Sequence, residues 1–166
     1  MAFDETTSKI KFNVKIPTDT YFAIAYGTDM LGVDMVSFHG RPNDNVLDLY
    51  AYFYGEPTVD DQNDYECSSS EAGGWWTFEC YRGLQTSDPN DQDYQYTKCH
   101  ENMEMSWVGL TTTADMEKHD INNFFTFSLP QNCFENVDSN NIYYEESSSY
   151  LKLSTLSAVA LGYLML

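Results

Sequence analysis

Met30 is the residue whose position most directly suggests chemistry. It lies in a short turn between a strand-like apolar run at residues 21–26, which stops at Gly27, and a second extended run at residues 34–38. This pattern predicts two buried strands joined by a methionine-bearing turn. A thioether at the rim of a sheet can ligate a metal or a haem iron, whereas most methionines fill gaps in a core. The spacing alone leaves both interpretations open.

An acidic turn is the second candidate for a metal-binding site. Asp88, Asn90, Asp91 and Asp93 are similar to the start of a calcium loop. The glycine and the closing glutamate of an EF-hand are absent, because Asp93 and Cys99 occupy those positions. A solvated turn is therefore the favoured interpretation, and weak calcium or sodium binding where the two Asp-rich loops meet is the alternative.

Catalytic constellations are missing from the sequence. There is no nucleophile with a plausible base partner, no glycine-rich phosphate loop and no carboxylate pair that stands out from the acidic background. We expect the chain not to be an enzyme, and any catalysis to reside in a partner.

Composition limits the class of protein and of partner. A chain of 166 residues is long enough for one domain with a real core. Eight basic and 26 acidic residues give a formal charge of −18, which repels phosphate backbones and anionic lipids. Nucleic-acid binding is therefore excluded. The aromatic share of 16% favours strands and argues against disorder.

Four cysteines, Cys67, Cys80, Cys99 and Cys133, lack the spacing of a zinc ribbon. Their even number suggests two disulfides, for which three connectivities are possible. The preferred pair is Cys67 with Cys80, because SSSEAGG between them is typical of a hairpin loop, and this leaves Cys99 with Cys133. Free buried thiols are the alternative.

Short strands separated by turn signals dominate the chain. Strands are predicted at residues 9–16, 21–26, 34–38, 46–53, 75–82, 94–98, 103–112 and 124–129, with no convincing amphipathic helix. This favours an all-β fold, an antiparallel β-sandwich of immunoglobulin-like type. We expect the sandwich at residues 1–135, a polar linker at 136–149 and a hydrophobic tail at 150–166.

The tail suggests attachment to a membrane. Small residues, a spacer and a terminal apolar run match a glycolipid-anchor signal with cleavage near Ser147 to Ser149. A truncated membrane helix, or a helix packed on a partner, is the alternative. The first ten residues show no secretory signal, so we expect a truncated start and an extracellular or cell-surface location.

Several segments together resemble the DOMON family. The run YFAIAYGTDMLGVDMV at residues 21–36 is similar to its first motif, and residues 50–64 are similar to its strand followed by a proline and acidic loop. Residues 76–93 contain an Arg-x-Leu-x-Thr-x-Asp pattern beginning at Arg82, with a trailing Asp93, and residues 107–119 end in a histidine-bearing loop. The resemblance covers roughly residues 9–130 and implies the DOMON type of β-sandwich.

The resemblance also implies a chemistry. In haem b carriers of the family a methionine of the first motif and a histidine of the last loop ligate the iron, and these correspond to Met30 and His119 here. Such an iron suits electron transfer to a redox partner protein, and Met35 is the competing thioether. The alternative is a haem-free module that recognises a surface glycan or protein, with aromatics such as Trp75 and Trp76 stacking on sugar rings.

Overall fold

The computed structural model describes residues 1–87, 93–97, 99, 102–110, 112–131 and 133. These residues form ten strands, β1 Ala2–Asp4, β2 Lys9–Pro17, β3 Tyr21–Ala25, β4 Val33–His39, β5 Val46–Ala51, β6 Thr58–Val59, β7 Tyr65–Ala72, β8 Trp75–Gly83, β9 Asn102–Leu110 and β10 Ile121–Ser128. No helix among them is long and apolar enough to cross a bilayer. The predicted linker and tail at 136–166 lie outside the described residues.

The strands form two antiparallel sheets, which confirms the predicted all-β sandwich. One sheet has four strands in the order β1-β2-β8-β7, and the other has six in the order β10-β9-β3-β4-β5-β6. Every neighbouring pair is antiparallel. Loops that follow successive strands therefore emerge at opposite ends of a sheet, and this alternation decides which predicted site residues can meet.

The core lies between the sheets and is largely aromatic. Strand β2 alternates as predicted, with Ile10, Phe12 and Ile16 buried. Phe38 of the six-stranded sheet packs between Phe12 and Phe78 of the other sheet, at ring-centroid distances of 6.5 and 5.5 Å. These three rings have no exposed surface, so they fix the spacing of the two sheets.

Strand β4 is buried along its whole length, on both faces. One face contributes to the core, and the other forms a second apolar cluster with β5, made of Val33, Met35, Leu49 and Ala51. Met116, from the connection between β9 and β10, packs on this cluster. Met35 is thus buried in this second cluster, on the face of β4 that is turned away from the four-stranded sheet.

Both preferred disulfides are present. Cys67 and Cys80 are cross-strand partners on β7 and β8, with Cα atoms 4.1 Å apart. Cys99 is bonded to Cys133, with Cα atoms 5.6 Å apart. The first bond joins an edge strand to its neighbour, and the second joins the segment before β9 to the segment after β10.

Three local predictions differ from the structure. The serine-rich segment is mostly the strand β7, and the turn is confined to Gly73 and Gly74, whose φ angles are +62° and +78°. Residues 94–97 are irregular instead of extended in a sheet, and β10 begins at Ile121, three residues before the predicted start. Strand β7 is exposed except for its first residue, so it lacks the hydrophobic alternation that reveals a strand.

Candidate functional site

Met30 and His119 lie at opposite ends of the six-stranded sheet. Met30 follows the Ala25 end of β3 and precedes β4. His119 precedes Ile121, which pairs with Gly109, and Gly109 pairs with Phe22 near the start of β3. Because each strand residue advances about 3.3 Å, β3 alone separates the two ends by roughly 13 Å. The structure does not bring these two predicted ligands together.

His39 offers no substitute as a ligand. It is completely buried, and both ring nitrogens are engaged, Nε2 with the Ser37 hydroxyl at 2.8 Å and Nδ1 with the Ala114 carbonyl oxygen. Burial lowers the pKa of its imidazole, which keeps it neutral. His100 lies outside the described residues. Among the described residues, Met30 and His119 thus lie at opposite ends of the sheet and His39 is already engaged, so haem ligation by Met30 and His119 stays a prediction.

The Met30 end of the sheet instead displays an exposed aromatic surface. Residues 52–54 (Tyr52, Phe53 and Tyr54), here called the aromatic loop, join β5 to β6 and are 52, 61 and 71% exposed. The loop is tied to the β3–β4 connection, since the Gly32 amide donates to the Ala51 carbonyl at 2.7 Å. In the same connection, Asp29 accepts a hydrogen bond from the Tyr54 hydroxyl at 3.3 Å.

Leu31, in the β3–β4 connection, is 52% exposed and adds apolar area at this end of the sheet. Phe53 lies against Gly55, where a β-carbon would come within 3.2 Å of the ring. Three consecutive exposed aromatics on a chain with a charge of −18 form a surface unlike its acidic background.

A buried ion cluster lies between the sheets at the same end. The Arg82 side chain, with no exposed surface, places Nη2 3.0 Å from Asp34 Oδ2 and 3.1 Å from Asp93 Oδ1. Its guanidinium also lies over the rings of Tyr26 and Tyr65, at 5.1 and 5.8 Å. Asp34 belongs to the first motif, and Arg82 and Asp93 belong to the Arg-x-Leu pattern and its trailing aspartate.

Asp48 of β5 is the third buried carboxylate of this cluster. Carboxylate oxygens of Asp34, Asp48 and Asp93 lie within 4.8 Å of one another. Burial raises the pKa of Asp48 to about 8 and that of Asp34 to about 7, although Arg82 lowers the latter. The single guanidinium does not balance the negative charge that these groups carry when ionised.

Two clefts open at this end of the sandwich. One, of about 310 Å³, is lined by Tyr26, Tyr50 and Tyr94 and reaches Asp34 and Asp93. The other, of about 560 Å³, is lined in part by Tyr26, Tyr94, Met103 and Met105. The Ala25 end of β3 and the Asn102 end of β9 meet here, because Ala25 pairs with Ser106.

The tryptophans predicted to stack on sugars are placed differently. Trp76 is 9% exposed and packs on Phe78 in the core. Trp75 is half-buried beneath the Lys15 ammonium, 5.4 Å from its ring centroid. The exposed run of aromatics is instead at residues 52–54, at and directly after the end of the strand predicted at 46–53. Of the acidic turn, only Asp93 is described, and it belongs to the buried cluster.

The comparisons with known proteins support the sandwich. The DOMON domain family matches residues 1–109. The cytochrome domain of Myriococcum thermophilum cellobiose dehydrogenase is similar, with a TM-score of 0.51 and 18% identity over 74% of this chain and 67% of that one. The cytochrome b domain of pyranose dehydrogenase from Coprinopsis cinerea is also similar, with a TM-score of 0.53 and 10% identity over 73% of this chain and 68% of that one. No curated protein matches. At such identities the likeness is one of fold.

Proposed function

Since this chain belongs to the DOMON family, we propose that it is a haem-free recognition domain of that family that binds carbohydrate through the aromatic loop. The exposure of Tyr52, Phe53 and Tyr54 carries the proposal. Flat rings cover the apolar face of a sugar ring at low entropic cost, because each has two side-chain torsions.

Polar groups beside the loop suit the rest of a sugar. The Asp29 carboxylate accepts hydrogen bonds, and the tyrosine hydroxyls both donate and accept them, which matches the hydroxyls of a pyranose. The chain's charge of −18 disfavours sulfated or otherwise anionic glycans. The proposed ligand is therefore a neutral or amino-bearing oligosaccharide.

The two disulfides agree with a domain that meets glycans outside the cell. Two disulfides in a small domain are typical of proteins that fold in an oxidising compartment, where surface glycans are met. A cell-surface domain tethered through residues 150–166 would present the aromatic loop to such a ligand, and any catalysis would belong to a partner.

Calorimetric titration with a panel of neutral oligosaccharides tests the proposal. Phe53→Ala should weaken binding by about fivefold or more, because stacking on one aromatic ring is worth about 1–3 kcal/mol. Phe124→Ala is the matched control, since Phe124 is 58% exposed on β10, away from the loop. Equal effects of the two substitutions, or capture of a protein partner without any sugar binding, would contradict the carbohydrate proposal.

Haem b binding for electron transfer is the second candidate. Its support is the likeness to two cytochrome domains and the cleft of about 560 Å³ at the end of the sheet that bears Met30. Bound haem would supply one-electron chemistry, and Met30 would be the residue that holds it from that end.

Absorption spectra of the oxidised and reduced protein, produced with haem supplied, separate the two candidates. A low-spin spectrum with one haem per chain, lost or altered in Met30→Ala, would favour the cytochrome. Comparison of His100→Ala with His119→Ala would then identify the second ligand. A featureless visible region would remove haem and leave carbohydrate binding standing.

A further inference from the structure

Asp34, Asp48 and Asp93 converge from three separate segments on one point between the sheets. Asp34 comes from β4, Asp48 from β5 and Asp93 from the connection that precedes β9. Their relative exposures are 4, 2 and 5%. A carboxylate so deeply buried needs a cation or a full set of hydrogen bonds to offset its lost hydration.

The protein satisfies only part of this requirement. Oδ2 of Asp34 accepts hydrogen bonds from Arg82 Nη2 and from the Tyr94 amide at 2.7 Å, and Oδ2 of Asp48 accepts one from the Asp64 amide at 2.9 Å. Oδ1 of both residues is buried without any hydrogen-bond partner, and neither oxygen of Asp93 makes a hydrogen bond of good geometry. When ionised, the cluster therefore presents unsatisfied oxygens that are acceptors only.

We propose that these three carboxylates bind a single calcium ion. Calcium takes oxygen ligands at about 2.3–2.6 Å, so two oxygens on one ion lie up to about 5 Å apart. The carboxylate oxygens here lie within 4.8 Å of one another. Magnesium, whose ligands lie at about 2.0–2.1 Å, requires a tighter set.

Charge and access agree with a divalent ion. When ionised, the three carboxylates and the Arg82 guanidinium sum to −2, and the neighbouring Asp64 carboxyl, which interacts with Asp93, adds to the negative charge that a divalent cation offsets. The cleft of about 310 Å³ reaches Asp34 and Asp93 from solvent, and it supplies an entry path and room for the water ligands that complete the coordination. The bound ion would cross-link β4, β5 and the segment that carries Asp93.

The test is thermal unfolding of the full chain, stripped of metal, with and without added calcium. Calcium should raise the melting temperature of the native protein, since a ligand that binds only the folded state stabilises it. Asp48→Asn should abolish that rise and, without calcium and above about pH 8 where the native Asp48 is ionised, should be at least as stable as the native protein because it removes an uncompensated buried charge. Glu104→Gln, which removes one exposed charge from β9, should retain the full rise.

Terbium luminescence provides an independent readout of the same site. Terbium replaces calcium and emits when excited through an aromatic ring close to it, and Tyr26 and Tyr94 line the cleft that reaches the carboxylates. The emission should saturate at one terbium ion per chain and should be lost when calcium displaces terbium. The affinity for terbium should be about tenfold or more lower in Asp48→Asn. Unchanged melting with calcium, or equal responses of Asp48→Asn and Glu104→Gln, would overturn the proposal.

Discussion

Replacing Arg82 with methionine would leave Asp34 and Asp93 buried without their guanidinium partner. The side chains of these three residues are 0, 3 and 0% exposed, so solvent does not screen the loss. Removing one partner of a buried ion pair costs about 3–5 kcal/mol. We expect Arg82→Met to lower the free energy of unfolding by that amount, a large part of the roughly 5–15 kcal/mol that stabilises a typical domain.

Arg41→Met is the matched control. Arg41 Nη1 lies 2.7 Å from Asp115 Oδ1, a shorter contact than either made by Arg82, but its side chain is 32% exposed and that of Asp115 is 73% exposed. An exposed ion pair contributes about 0–1 kcal/mol. The two arginine substitutions thus separate the effect of burial from that of distance.

The assay is urea unfolding followed by fluorescence of the three tryptophans, in a chelator and near pH 8. That pH keeps Asp34, whose burial raises its pKa to about 7, largely ionised. Arg82→Met combined with Asp34→Asn should recover part of the loss, because the double variant removes an uncompensated charge. A cost for Arg82→Met within about 1 kcal/mol of that for Arg41→Met would refute the reasoning.

Three further predictions concern stability. Burial lowers the pKa of His39 below its usual 6.5, so as the pH falls through 6.5 the unfolded chain binds a proton that the folded protein does not, and the contribution of His39 to stability decreases; the native protein should therefore lose stability relative to His39→Gln in unfolding measurements between about pH 8 and pH 5, and parallel pH profiles of the two proteins would contradict this. The double substitution Cys67→Ser and Cys80→Ser opens a 13-residue loop and should lower the free energy of unfolding in urea by about 3 kcal/mol. An equal free energy of unfolding for the reduced and the oxidised native protein would contradict this. A β-carbon at Gly40 would overlap the Pro17 carbonyl oxygen, so Gly40→Ala should lower the melting temperature through a cost of about 1–3 kcal/mol, which an unchanged melting temperature would exclude.

Regular alternation made much of the fold predictable from sequence. Strand β2 alternates apolar and polar residues from Lys9 onward and is half-buried as expected. The hairpin signal between Cys67 and Cys80 also indicated a disulfide that the structure contains. These features are local, because a strand's period and a turn's composition act over a few residues.

Strand β7 shows where local pattern fails. Its polar sequence becomes a strand because β8 supplies hydrogen-bonding partners along its whole length, while its own side chains remain exposed. An edge strand of this kind gains stability from backbone pairing instead of side-chain burial. Its sequence therefore predicts a loop.

The candidate site depended most on tertiary structure. The sequence determined that Met30 and His119 each lie in a turn next to a strand, but the order β10-β9-β3-β4 places these turns at opposite ends of the sheet. It also contained Asp34, Arg82 and Asp93 within separate motifs without indicating that they are buried together. Strand periodicity reports which face a residue occupies, whereas the meeting of distant charges depends on sheet order and register, which arise from packing across the whole domain.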